Sequence, residues 1–274
     1  MVPGRSGRRG LPVTTSLAAA YSATGSAWQR GPGPIYDRLA AELVARAPES
    51  LDGRRVLDVG AGTGAASRAL MVAGARDVVA VDAAVGMLAY VAADRPPAAA
   101  GDARALPFAD RSFDAAVAAF SLNHLTDPAT GLREMARVTR RGGALLAANY
   151  GTDDTHPVKA AVEAALARRG WTPDAWYYEV RDEAAPRLAT VEDTIAVGAA
   201  AGLDVEAELV HVPFGDLATE DLVAWRLGMA HHAPFVEALR VSEHQAVVHE
   251  AIAGLGQGSP SLVRSIVVLR AVVP

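Results

Sequence analysis

Val56-Leu57-Asp58-Val59-Gly60-Ala61-Gly62-Thr63-Gly64 passes from four residues suited to a strand into glycines at positions 60, 62 and 64. A strand feeding a glycine-rich turn and then a helix is where an open parallel sheet binds a nucleotide-like ligand. Glycine serves there because it lets the backbone approach the ligand closely and adopt positive φ. The helix follows at residues 65–72. Residues 78–81 read as a second strand and 84–92 as a second helix, and 98–101 as a short third strand. Residues 113–120 are uniformly small and apolar, the character of a strand buried on both faces. Asp127 stands as N-cap of a helix over 127–140, with Pro128 at its first position; Gly142-Gly143 ends that helix, and 144–149 is a fifth strand. This alternation predicts an α/β fold built on a parallel sheet covered on both sides.

Outward from this centre the alternation lapses over residues 151–190 and 213–260. It resumes in a helix over 191–201, a strand over 205–212 and a β-rich run over 261–272. The reading is a core of residues 50–150, 191–212 and 261–274, interrupted by two insertions that form a mostly helical cap. A helical N-terminal segment, 18–46, covers the same end. Residues 1–17 read as a disordered tail: Arg5, Arg8 and Arg9 precede a mildly apolar stretch, but Pro12 and Thr14-Thr15-Ser16 break it before it resembles a secretion signal.

The chain has 274 residues, 26 basic and 31 acidic side chains, and no cysteine. Disulfides, thiolate nucleophiles and cysteine-ligated metals are thereby excluded. A formal charge of −5 argues against a partner bound through a phosphate-neutralising basic face. No apolar run reaches the roughly 18 residues a bilayer span requires. The expectation is a cytoplasmic monomer or homodimer, with no nucleic-acid partner and no stable membrane insertion.

The residues around the loop narrow the ligand. Asp82 ends the second strand, 18 residues beyond Gly64, where a carboxylate accepts hydrogen bonds from both ribose hydroxyls. The glycine spacing is G-x-G-x-G, not the G-x-G-x-x-G that seats a pyrophosphate on a helix N-terminus. Asp58, an acid inside the strand, would repel a diphosphate and suit a cationic ligand. Gly101-Asp102-Ala103 offers a loop carboxylate and an adjacent backbone N–H for the amino edge of adenine. Together these describe an adenosyl group without phosphates.

The glycine stretch, Val81-Asp82, Gly101-Asp102-Ala103, Leu106-Pro107-Phe108 and Ser112-Phe113-Asp114 resemble the class I S-adenosylmethionine-dependent methyltransferases. With Glu134-Met135-Ala136-Arg137-Val138, their order is similar to the ubiquinone/menaquinone-biosynthesis branch. The resemblance covers residues 50–150 and leaves the insertions outside. It implies a Rossmann-like seven-stranded mixed sheet whose last strand is antiparallel, with S-adenosyl-L-methionine laid across the strand ends. It places Asp82 on the ribose and Asp102 with Ala103 on the adenine, with Ala83 a further cofactor contact. The loop (Asp58, Gly60, Ala61, Gly62, Gly64) would face the methionine portion, Met87 the adenine, and Phe120 and Ser121 the methionine end. Tyr21 is a further cofactor contact if its helix folds over the site.

An oxygen or nitrogen methyl acceptor must lose a proton, so a positioned base is sought. His124, after the fourth strand in Phe120-Ser121-Leu122-Asn123-His124, is the first candidate and His231 the second. Eight of the fifteen aromatics fall between Tyr150 and Phe235, which nominates Tyr150, Trp176, Tyr177 and Tyr178, with His232, as contacts for a flat or greasy substrate. Adjacent histidines on a helix point about 100° apart, so His231 and His232 should not face one site together. His156, Asp153 and Asp154 match no ligand spacing, and no metal is expected. The reading is a small-molecule O-, N- or C-methyltransferase. The alternatives are a protein that binds the same cofactor without methyl transfer (a cyclase or binding module) and an NAD-dependent oxidoreductase. A nucleic-acid methyltransferase is disfavoured, since no Asn/Asp-Pro-Pro-aromatic motif follows the fourth strand.

Overall fold

Seven stretches rich in Val, Leu and Ala pair as strands in the computed structural model, which describes residues 16–90, 95–256 and 260–274. They are β1 (Arg55–Val59), β2 (Asp77–Asp82), β3 (Ala98–Ala100), β4 (Phe113–Ala119), β5 (Thr139–Tyr150), β6 (Val205–Phe214) and β7 (Leu262–Val272). Most of the expected tail, residues 1–15, and the end of the helix expected over 84–92 lie outside the described residues. The sheet order is β3-β2-β1-β4-β5-β7-β6. β1 to β5 pair in parallel, and β7 runs antiparallel to both of its neighbours. The fold is the seven-stranded mixed sheet that the resemblance implied.

Two-residue periodicity sorts the strand side chains onto two faces. Val56, Val117 and Leu146 join one core, while Leu57, Ala116 and Leu145 join the other. Fully buried leucines such as Leu57 and Leu145 each contribute ~2 kcal/mol through transfer from water. Two helices, α6 (Pro128–Val138) and α9 (Val191–Ala200), cover the Leu57 side. On the other side lie α3 (Gly33–Val44), α4 (Ala65–Val72), α7 (Pro157–Ala167), α10 (Thr219–Leu227) and α12 (Val241–Leu255). The last three, from the two stretches expected as insertions, pack on one another, and α8 (Ala175–Glu179) and α11 (Ala233–Glu237) belong to the same stretches.

Local readings needed adjustment in two places. The N-terminal segment is three helices, α1 (Leu17–Ser22), α2 (Gly25–Arg30) and α3, because the Thr24 hydroxyl donates to the Tyr21 carbonyl and Pro32 interrupts the next turn. The chain folds back on itself, so that α1 reaches α5 (Val85–Tyr90) while α2 reaches α10. The pair Gly142-Gly143 lies inside β5, not between a helix and a strand. Thr139 already pairs with Phe113, and a register shift before Ala115 absorbs the extra residues, with Gly142 at φ +70°.

The order of the strands fixes where a ligand can sit. From β1 the chain builds outward to β3, then returns to place β4 on the other flank of β1. That reversal opens a crevice beyond the carboxyl ends of β1 and β4, where doubly wound sheets bind ligands.

Candidate active site

At the end of β1 the backbone must turn at once beneath the end of β4. Gly60 does so at φ +70°, and a Cβ there would stand 2.2 Å from the Ser121 Cβ. Ser121 is held in place by its own hydroxyl, which donates to the Val59 carbonyl at 2.7 Å. Phe120 has φ +60°, uncommon for a bulky side chain, and its ring stacks on Tyr150 at 4.7 Å. Gly60→Ala is therefore expected to lower stability by about 3 kcal/mol, through strained backbone and overlap together. Urea unfolding measures it, and an unchanged midpoint would show that Ser121 yields freely.

Acids close the loop. Asp82 accepts from the backbone N–H of Gly62 through Oδ2 and of Ala84 through Oδ1, both at 2.7 Å. Burial raises its pKa against the lowering effect of those bonds. Asp58 is buried, accepts from the Ser67 hydroxyl at 2.6 Å through Oδ2, and leaves Oδ1 without a partner among the described residues. Desolvation raises its pKa to about 6. Asp102 is gripped by the Arg104 guanidinium, which holds its pKa below the usual carboxylate range.

These groups wall one cavity of about 920 Å³ that runs on among residues of the stretches expected to form a cap. Gly60, Ala61, Gly62, Asp82, Ala83 and Met87 line its sheet end, where Asp58 also reaches it. Asp102 and Ala103 line one flank, and Phe120, Ser121 and Tyr21 another. Gly64 is not on the wall; at φ +86° it starts α4.

His124 lines the same cavity. It ends a single 3-10 turn, Leu122–His124, and its Nε2 is 3.2 Å from the Tyr21 hydroxyl. Burial depresses the imidazole pKa to about 4, so the ring is neutral at neutral pH. Burial also raises the Tyr21 phenol above its ordinary value. Tyr150, Trp176, Tyr177 and His231 line the cap end. Tyr177 and His231 stack at 4.1 Å. Tyr178 does not line the cavity: it is 41% exposed, with the Arg181 guanidinium over its ring. His232 does not line it either, being wholly buried against Trp171 with Nδ1 on the Arg226 carbonyl. The two histidines sit in a turn, not on a helix, and their rings pack at 4.0 Å.

Several charged groups here escaped the sequence reading. Arg264 reaches in from β7 and pairs with Asp154 at 2.7 and 2.9 Å, and Lys159, the chain's one lysine, pairs with the same carboxylate. Asp154 is thus an ion-pair partner, and His156 caps α7. Glu163, His231 and His232 bring ligand atoms within 4.8 Å of one another, the spacing of a metal site. The Arg226 guanidinium already supplies the positive charge there, 3.3 Å from His231 Nε2 and 3.5 Å from the Glu163 carboxylate.

Residues 57–147 match the family model described as a methyltransferase domain. A demethylmenaquinone methyltransferase of Renibacterium salmoninarum is 38% identical over 172 residues, covering 59% of this chain and 70% of that protein. The chain belongs to the class I S-adenosylmethionine-dependent methyltransferases. Its branch is the menaquinone/ubiquinone-biosynthesis type, and it is an enzyme that methylates a small molecule.

Solved structures add the likeness of fold. The phosphoethanolamine N-methyltransferase 2 of Haemonchus contortus, in complex with S-adenosyl-L-methionine, has a TM-score of 0.55 at 20% identity, covering 94% of this chain and 56% of that one. The (4+2)-cyclase SpnF has a TM-score of 0.50 at 21% identity, covering 87% and 81%. Likeness at that identity concerns the fold, and a cyclase role gains nothing from it.

The residues present fit the methyltransferase cofactor. The buried Asp58 Oδ1, unpartnered among the described residues and beside the glycine loop, suits a cationic amine or sulfonium and would repel a diphosphate. Among the described residues no helix is long and apolar enough to cross a membrane.

Proposed function

We propose that the enzyme methylates a flat, hydroxylated aromatic ring, seated under Trp176 and Tyr177, and that His124 takes the acceptor's proton. The cofactor supplies an electrophilic methyl group on a positively charged sulfur. Asp82 and the glycine loop hold its ribose and methionine ends, Asp102 and Ala103 meet the adenine, and Tyr21 closes over it from α1. The chain's remaining work is alignment for an in-line displacement, exclusion of water and removal of one proton.

The observation that carries this reading is the state of the two imidazoles on the cavity wall. His231 Nε2 faces the Arg226 guanidinium, which occupies its lone pair. Among the described residues His124 Nε2 has the Tyr21 hydroxyl as its one hydrogen-bond partner, and a hydroxyl can yield the nitrogen to an incoming one. His124 is therefore the base and His231 part of the wall. The relative named above carries demethylmenaquinone in its name, a ring of the kind that an aromatic wall would accept. The test is labelled methyl transfer from S-adenosylmethionine to 1,4-dihydroxynaphthalene and to naphthalene. Label is expected in the hydroxylated ring alone. Transfer confined to an aliphatic amine would overturn the aromatic acceptor.

A further inference from the structure

Four elements that lie far apart in sequence bring their polar groups to the cap end of the cavity. Arg264 comes from β7, Arg226 and Trp225 from α10, Lys159 from α7 and Tyr150 from the end of β5. The guanidinium of Arg264 lies 4.2 Å from the Tyr150 ring centre and 4.6 Å from that of Trp225. That of Arg226 lies 5.4 Å from the Trp225 ring. The Arg226 and Arg264 side chains are 6% and 3% exposed.

Charge does not balance in this lobe. Among the described residues Lys159, Arg226 and Arg264 pair with two acids, Asp154 and the half-exposed Glu163, which leaves one positive charge over. Hydrogen bonds do not balance either. Arg226 Nε, Arg264 Nη1, the Tyr150 hydroxyl and Trp225 Nε1 are buried and have no partner among the described residues. Buried donors left unpaired cost free energy, as does an uncompensated buried cation. A fold tolerates both where a ligand supplies the missing acceptors, and the donors offered are of the kind that grip a planar, negatively charged oxygen group.

Resting on the reading of this cavity as the methyl-acceptor site, we propose that the Arg226–Arg264 lobe binds an anionic oxygen group, a carboxylate or ionised ring hydroxyl, on an aromatic acceptor. One end of the acceptor is anchored there, between the Tyr150 and Trp225 rings, while its methylated atom faces His124. The acceptor class is then an aromatic acid or acidic phenol, and a neutral ring of equal size is discriminated against.

The test uses the full chain saturated with S-adenosylhomocysteine, titrated calorimetrically with 1-naphthoate and with its neutral isostere 1-naphthamide. Naphthoate is expected to bind about tenfold tighter or more, the difference between charge-assisted and neutral hydrogen bonds. Arg226→Met should bring the two affinities together and leave that for S-adenosylhomocysteine unchanged. Lys159→Met removes the surplus charge from a less buried position, and serves where Arg226→Met does not fold. Equal binding of the two probes by the parent protein would overturn the inference, as would a preference that survives both variants. A further arm with 1-naphthol at rising pH separates the two sources: binding that tightens as the hydroxyl ionises assigns the lobe to phenolates as well as carboxylates. If naphthoate is preferred but no label reaches a hydroxylated ring, the anion site stands and the acceptor reading falls.

Discussion

Asp82→Ala is expected to weaken S-adenosylhomocysteine binding by about a hundredfold or more, the effect of leaving two or more buried polar groups unpaired at ~1–3 kcal/mol each. The carboxylate has two duties that converge on one ligand. In the proposed role its lone pairs on the cavity side would accept from the ribose hydroxyls, while the others hold the N–H groups of Gly62 and Ala84. Removing it orphans the hydroxyls and frees the glycine loop, so that the turn set by Gly60 no longer meets the methionine end in register. Asp82→Asn separates the duties. The amide keeps one acceptor oxygen, and with it one tie to the loop, but loses an acceptor for the ribose, so the loss should be intermediate. Calorimetric titration reads both variants. An Asp82→Ala protein that binds within about threefold of the parent would remove Asp82 from the ribose site, because a single unmade hydrogen bond already costs more.

What could be read in the chain, and what could not, follows the range over which each signal acts. The glycine loop, Asp82 and the Asp102 turn are legible because each chemical demand (positive φ, a carboxylate at a strand end, an N–H beside an acid) falls on residues close together. The strands are legible because both faces are buried and their apolar runs are continuous. The cationic lobe is different. Arg226, Arg264, Lys159 and Asp154 come from separate elements, and only the sheet order that puts β7 between β5 and β6 brings them together. One signal was present: Arg264 is the one charge in Leu262-Val263-Arg264-Ser265-Ile266-Val267-Val268, and a charge within a buried strand needs a partner. Tyr178 is expected at the substrate from the aromatic enrichment of residues 150–235, and His232 with it, but enrichment along the chain does not say which way a side chain faces. In the fold their neighbours Tyr177 and His231 turn inward while they do not. Gly142-Gly143 reads as a helix stop because glycine usually ends helices, and here a bulge inside β5 uses the same freedom.

His124→Ala is expected to lower the rate with an authentic acceptor by about a hundredfold or more, the contribution of a positioned general base, with little change in cofactor affinity. The pH profile tests the assignment more sharply than the rate alone. An exposed histidine titrates near pH 6.5. His124 is held at about 4 by burial, so the base stays free through that range. The parent's acid limb should therefore lie well below pH 6, and the variant, with no base to protonate, should lack it. A limb centred near 6.5 would assign the proton transfer to a group in contact with water. Folding stability provides a second reading that does not depend on catalysis. Because the folded pKa of His124 is below the unfolded one, the unfolded chain takes up the proton first as pH falls from 6.5 towards 4, and this side chain costs stability across that window. His231 and His232, also depressed by burial, act in the same direction, whereas Asp58, raised to about 6, favours the folded state as pH falls below that value. His124→Ala removes one histidine from this set. The variant should then lose less stability than the parent between pH 6.5 and 4 in urea titrations, and parallel curves would show that the imidazole is solvated in the folded enzyme. A shallower stability curve together with an unchanged rate would make His124 a buried wall residue, and the displacement would then rest on alignment alone.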